Sequence, residues 1–216
     1  MTKPAIVQFW DREPPGEVLA LMETWRTGPC VATFRYERFN DATALDFIRQ
    51  HFDRRTVNAF RQCGIPAMKA DFFRYCFLYQ EGGIYIDADT CCLQSLDGLY
   101  DGLDLGLLFK RKKRVANDFL IAKQKQTELF AYTIEKAITN IEARTSDRVW
   151  HVTGPSIMTF LYNSGSAEAE RLFRGFQVVK SRVIRPFVGF RRNLEYKSSD
   201  THWTIAQQKT SIFDDG

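Results

Sequence analysis

From Pro66 to Asp89 the chain reads Pro-Ala-Met-Lys-Ala-Asp-Phe-Phe-Arg-Tyr-Cys-Phe-Leu-Tyr-Gln-Glu-Gly-Gly-Ile-Tyr-Ile-Asp-Ala-Asp. This stretch constrains the fold more than any other. Pro66 suits the first turn of a helix running to about Gln80, because proline has no N–H to lose there. Gly82-Gly83 ends the helix before a strand at Ile84-Tyr85-Ile86. Met68, Ala70, Phe72, Phe73, Cys76, Phe77 and Leu78 cannot share one stripe, so the helix is expected to be buried. Asp71 and Arg74 then stand out, since charged groups in an apolar helix must be paired or face a polar site. They are three residues apart and can meet. An internal ion pair and a place at a ligand pocket are both open readings.

The strand ends in two carboxylates separated by one small residue. In an extended strand successive side chains alternate faces, so Asp87 and Asp89 are expected to point the same way with their backbones roughly 6.6 Å apart. One cation, or a cation with a sugar hydroxyl, fits across such a gap. Ala88 faces the other side and leaves room for close packing.

Around this segment strands and helices alternate, as in a parallel-rich sheet. Ala5 to Trp10 reads as a strand and not as a signal peptide. After the Pro14-Pro15-Gly16 turn comes a helix from Glu17 to Arg26, then a strand from Val31 to Tyr36, then a helix that Asp41 would cap. Further on, Leu103 to Phe109 and Val115 to Ala122 read as strands and Glu128 to Glu142 as an amphipathic helix. Trp150 to Pro155 reads as a tight loop whose Thr153 would cap a helix from Ser156 to Tyr162. A helix from Ala167 to Phe176, a strand from Gln177 to Ile184 and an irregular tail with His202 and Trp203 follow.

A length of 216 residues, with 44% hydrophobic and 14% aromatic content, fits one well-packed domain. No apolar run approaches the roughly 18 residues of a membrane helix. Five cysteines at irregular positions, without a CxxC pair, read as small buried hydrophobes in a reducing cytosol. The net charge of +4 is mild. Its densest patch, Lys110 to Arg114, reads as a solvated loop or as a peripheral contact for anionic headgroups or an acidic acceptor. No nucleic-acid module with interleaved aromatic and basic positions is visible.

Taken in order, the Ala70-Asp71-Phe72-Phe73-Arg74-Tyr75 helix, Gly82-Gly83 and Ile84-Tyr85-Ile86-Asp87-Ala88-Asp89 resemble the DXD-containing sugar-transferase family often called glycosyltransferase family 32. That family includes bacterial capsule-type transferases and, more distantly, the glucosylating clostridial toxins. Ile6 to Trp10 is similar to its opening strand, and Asn117 and Thr153-Gly154-Pro155 fall where family-like patterns put them. The resemblance implies a single GT-A (Rossmann-like) α/β domain over 1–216, with a mostly parallel mixed sheet flanked by helices. It implies a metal-dependent, retaining hexosyltransferase that uses a UDP- or GDP-sugar and a glycan or other hydroxyl acceptor. By that resemblance Asp87 approaches the donor sugar or ribose and contributes with Asp89 to the site of Mn²⁺ or Mg²⁺. Asp71 and Arg74 position the donor, Trp10 stacks on the base and Asn117 joins the donor site. His202 is a third metal ligand or a surface histidine, and the family's later Ser-Trp pair is replaced by Ala206-Gln207. His151 reads as structural.

Two other readings compete. A haloacid-dehalogenase-like phosphohydrolase also places Asp-x-Asp after an apolar strand, but Cys91 stands where it needs Thr or Val, and its motif belongs near a domain's start. A non-catalytic sugar-nucleotide-binding protein of the same fold is the other.

Overall fold

In the computed structural model of this chain, residues 3–191, 193–198 and 203–214 are described. Strand β1 (Ala5–Phe9) leads to α1 (Gly16–Thr27), and β2 (Arg35–Phe39) leads to α2 (Asp41–His51) and α3 (Arg54–Arg61). Helix α4 (Pro66–Glu81) runs into β3 (Gly83–Ile86) and β4 (Thr90–Cys92), followed by α5 (Asp97–Asp101). The hairpin β5 (Gly106–Arg111) and β6 (Arg114–Ala122) precedes α6 (Glu128–Glu142), α7 (Val149–Val152), α8 (Ser156–Ser164) and α9 (Ala167–Phe173). Then come β7 (Phe176–Lys180), α10 (Ser181–Ile184), β8 (Val188–Phe190), a 3₁₀ turn (Glu195–Ser198) and α11 (Trp203–Lys209).

Six strands form the main sheet in the order β2-β1-β3-β6-β5-β7. All run in one direction except β6, which is antiparallel to both β3 and β5. The sheet is thus mostly parallel and mixed, as expected. β4 and β8 make a separate antiparallel ribbon.

Side-chain alternation sends two cores to opposite faces. Val7 and Phe9 of β1, Tyr85 of β3 and Leu120 of β6 join α4 and α6 on one side. Ile6, Ile84, Ile86, Phe119 and Ile121 join Trp25 of α1 on the other. Helix α4 lies between the sheet and a second layer formed by α2, α3 and α6, so every face of it meets protein. That explains its apolar residues all round. Its exit requires glycine twice. Gly82 and Gly83 have φ of 65° and 91°, and a Cβ on Gly83 would sit 2.5 Å from the Ala5 carbonyl oxygen.

Several sequence expectations are corrected. β2 begins at Arg35 and not Val31, because residues 30–34 close turns through N–H bonds from Thr33 and Phe34 to the Cys30 carbonyl. Asn40, not Asp41, caps α2: its Oδ1 accepts from the Thr43 N–H at 3.0 Å while Thr43 Oγ1 accepts from the Asn40 N–H at 2.9 Å. Helix α3, capped by Asp53, was not expected. The strand read from 177 to 184 stops at Lys180 and turns into α10, and the loop at 150 contains α7. Thr153 does not cap α8; its hydroxyl donates to Asp71 Oδ2 at 3.4 Å.

Candidate active site

The carboxyl ends of β1 and β3, the first turns of α4 and the middle of β6 meet at one edge of the sheet, where open α/β sheets place ligands. A cavity of about 520 Å³ opens there. Trp10, Asp71, Arg74, Asp87, Asp89 and Asn117, six of the seven residues expected at the site, all line it. The seventh, His202, lies outside the described residues, while its neighbour Trp203 lines the cavity.

Arg74 organises the floor. Only 4% of its side chain is exposed, and its Nη2 lies 3.0 Å from Asp71 Oδ1 and 3.2 Å from Asp87 Oδ1. Nη1 donates to the Asn117 carbonyl at 2.5 Å and Nε to the Ala70 carbonyl at 3.1 Å. The guanidinium also lies 4.3 Å above the Tyr85 ring. Asn117 Nδ2 donates to Asp71 Oδ1 at 2.8 Å and to the Tyr75 hydroxyl oxygen at 3.0 Å, and Tyr75 in turn donates to the Thr153 carbonyl at 2.9 Å. The two open readings of Asp71 and Arg74 therefore merge: they are an internal ion pair and they also line the pocket.

The two motif carboxylates are not successive residues of an extended strand. β3 ends at Ile86, and Asp87 makes one more ladder bond, from its N–H to the Asp118 carbonyl at 2.9 Å. The Thr90 hydroxyl then closes a turn on the Asp87 carbonyl at 2.7 Å. Strand alternation therefore does not set the spacing of Asp87 and Asp89. The turn directs both into the cavity, while Ala88 packs against Val18 and Met22 of α1.

Charge is crowded here. Burial pushes the Asp87 carboxyl up to about 7; Arg74 opposes the rise, and Asp89, Asp118 and Asp71 add to it. Burial also raises Asp71 and Asp118, each opposed by its arginine.

Residues 7–104 match the family model described as "Glycosyltransferase sugar-binding region containing DXD motif". This part of the chain is thus similar to the sugar-binding region of DXD-containing glycosyltransferases. Among relatives, an uncharacterized glycosyltransferase of Acanthamoeba polyphaga mimivirus is 34% identical over 80 residues, 37% of this chain and 31% of the relative. The initiation-specific alpha-1,6-mannosyltransferase of Saccharomyces cerevisiae is 29% identical over 89 residues, 40% of this chain and 18% of the relative. The matched stretch thus spans less than a third of either curated relative.

Among solved structures, the PaToxG glycosyltransferase superposes with a TM-score of 0.57 at 12% identity, covering 99% of this chain and 89% of that one. The glycosyltransferase GlyE of Streptococcus pneumoniae gives 0.51 at 12% identity, covering 99% and 65%. These likenesses bear on fold alone, and the fold is GT-A.

The matched segment supplies Trp10, Asp71, Arg74, Asp87 and Asp89, but residues beyond it complete the cavity. Asp118, Arg111, Tyr196, Lys197 and Trp203 were not anticipated as site residues. Arg111 Nη1 lies 2.7 Å from Asp118 Oδ2, which corrects the reading of 110–114 as one solvated loop. That run is instead the end of β5, a turn and the start of β6. Lys197 Nζ lies 2.5 Å from Asp89 Oδ2, and the Tyr196 hydroxyl lies 3.4 Å from the same oxygen. Glu17 holds this segment by accepting the Glu195 and Tyr196 N–H groups, each at 2.9 Å. Tyr196 also meets Trp10 edge to face at 5.0 Å. No sequence pattern marks a lysine that reaches back across more than 100 residues to a carboxylate.

The donor set suits a hard divalent cation. Asp87 and Asp89 offer carboxylate oxygens, and Asp118 Oδ1 is buried with no hydrogen-bond partner among the described residues. Among the described residues no three such side chains already form a closed metal cluster.

Proposed function

We propose that this chain is a metal-dependent, retaining glycosyltransferase that moves a hexose from a UDP- or GDP-sugar to a glycan or other hydroxyl acceptor, with 1–216 as a single GT-A domain. The observation that carries this reading is the buried Arg74 network, which presents Asp87 in the same cavity as Asp89 and Trp10. The family match of residues 7–104 supports it, and so do the names of the relatives.

Asp89 and Asp87 would hold Mn²⁺ or Mg²⁺. The cation would supply neutralisation of the charge that grows on the departing nucleoside diphosphate. Arg74 is already committed to Asp71, Asp87 and two carbonyls, so its part is to hold Asp87 in place and not to reach the phosphates. Trp10 offers a ring for the base at the opposite wall. Asp71 and Asn117 position Arg74 from beneath. Retention needs no second carboxylate as base if the departing diphosphate takes the acceptor's proton on the same face. Lys112 and Lys113 at the β5–β6 turn remain available for a peripheral anionic contact, and five buried thiols accord with a cytoplasmic, reducing location. No described helix is long and apolar enough to cross a membrane.

The test is a thermal-shift screen of nucleotide-sugars with and without Mn²⁺, followed by turnover assays with the donor that binds. A donor should raise the melting point in proportion to the logarithm of its concentration over Kd. If no nucleotide diphosphate binds, or if Asp89→Asn leaves metal-dependent binding unchanged, the reading is wrong. Binding without transfer or donor hydrolysis would identify a non-catalytic binder.

A further inference from the structure

A second cavity, of about 400 Å³, opens between α6, α7 and α8 beside the first. Lys136, Asn140, Ser146, His151 and Phe160 are among its lining residues. Trp150 faces the donor-side cavity and its neighbour His151 faces this one, so a single turn of α7 separates the two.

At that divide three rings are grouped. Phe160 meets Trp150 edge to face at 5.7 Å and stacks with His151 at 6.1 Å, and Trp150 meets His151 at 4.7 Å. Arg114 lies over the Trp150 ring at 5.6 Å and holds it from the sheet side. Phe160 is 59% exposed, more than any other large hydrophobic side chain among the described residues. Its helix buries Ile157, Met158 and Leu161, so Phe160 is the apolar residue that α8 turns outward. A lone exposed phenylalanine would mean little. Here it extends an aromatic wall at the mouth of a cavity with mixed polar and apolar lining that adjoins the first.

The lining identifies the ligand. It offers hydroxyl, imidazole and ammonium groups but no carboxylate; its one amide, on Asn140, already donates to the His151 and Val152 carbonyls, and its one full positive charge is on Lys136. Such a surface suits a neutral molecule rich in hydroxyls. A pyranose has that chemistry, with flat C–H faces that the electron-rich faces of aromatic rings attract. A peptide would seek an open strand edge or a charged anchor, whereas this cavity is walled by helices, and the His151 and Val152 carbonyls of α7 already accept from the Asn140 and Ser156 side chains. We infer that the Trp150-His151-Phe160 wall and the cavity behind it bind an oligosaccharide acceptor and lead its terminal sugar toward the donor cavity. The acceptor role rests on the transferase reading; the oligosaccharide site itself does not.

The test uses the full chain and hexasaccharides of α- and β-linked glucose and mannose as probes, with and without Mn²⁺ and a saturating nucleotide-sugar. Binding is read by calorimetry and by Trp fluorescence. The wild type should bind at least one hexasaccharide, and Phe160→Ala, a change at an exposed position, should weaken that binding at least tenfold. The donor-induced thermal shift and donor hydrolysis should be the same in both. Equal hexasaccharide binding by both proteins, or none by the wild type, overturns the inference. So does Phe160-dependent transfer to unglycosylated peptides in place of sugars. Loss of donor binding in the wild type would count against the transferase reading, while hexasaccharide binding without donor still decides the wall.

Discussion

The floor and the rim of the candidate site hold their carboxylates in opposite ways. At the floor, Asp71 and Asp87, the latter 33% exposed, share one arginine that is 4% exposed and whose three nitrogens each meet protein oxygens. At the rim, Asp89 meets Lys197 through two side chains that are 23% and 22% exposed. Floor contacts come from α4, β3 and β6, elements packed into the main core, and rim contacts come from a 3₁₀ turn tied down by Glu17. A buried charge network cannot exchange partners without leaving an uncompensated charge. A pair whose cation is itself partly exposed, as Lys197 is and Arg74 is not, can trade that cation for another at small cost. The difference teaches that Asp87 is preset by the fold, whereas Asp89 is free to pass from the Lys197 ammonium to an incoming metal.

The largest effect should come from breaking the floor. Arg74→Ala strands the buried Asp71 carboxylate and removes the counter-ion of the partly exposed Asp87, and should cost on the order of 3–5 kcal/mol, read from the midpoint of chemical denaturation. Arg74→Lys should recover only part of that loss, since an ammonium cannot reach both carboxylates and the Asn117 carbonyl as a fork does. A fall in stability no larger than that of a rim variant would erase the distinction between the two regions.

Next, Asp89→Asn should abolish the Mn²⁺-dependent thermal shift with a nucleotide-sugar while lowering the stability of the ligand-free protein by less than about 1 kcal/mol. Lys197→Met sharpens the rim further. With its competitor removed, Asp89 should take up Mn²⁺ several-fold more tightly in the absence of donor, as measured by calorimetry. Unchanged or weaker affinity would mean that Lys197 does not compete with a cation for Asp89.

The last effect is on pH dependence. The Asp87 carboxyl stands at about 7 in the fold against an ordinary 3.8. Between those values the folded chain binds more protons than the unfolded one, so stability falls as pH rises across that window. Melting points of the metal-free protein should therefore decline between pH 5 and pH 7, and Asp87→Asn should flatten the decline. A rising profile would contradict the crowding of carboxylates at the floor.

Legibility differed along the chain for physical reasons. Helix α4 was readable because proline, an all-round apolar face and two glycines each reflect a local requirement, and the structure places that helix from Pro66 to Glu81. β6 and α6 were readable for the same reason, since their apolar periods match their element type. β2 was misread because Val31 has strand propensity but lies in a turn with 51% exposure. Among site residues, those close in sequence to the Gly-Gly exit were found. Asp118 and Arg111 were not, because their pairing depends on the β5–β6 register. Lys197 was hidden because its meeting with Asp89 depends on the return of the chain through β8, which pairs with β4 just after the motif.

The sequence by itself determined that a buried helix carrying Asp71 and Arg74 enters, through two glycines, a strand ending at Asp87. Propensity, glycine's access to positive φ and the burial of apolar surface act over a few residues and leave little choice there. Only the tertiary structure decided which partners those charges found. It gave Arg74 to Asp71, Asp87 and the Asn117 carbonyl, gave Asp89 to Lys197, and left Asp118 Oδ1 buried without a hydrogen-bond partner among the described residues. Those pairings depend on distances between strands and turns far apart in the chain, and electrostatic energy at such sites is set by distance and burial, neither of which one-dimensional spacing encodes.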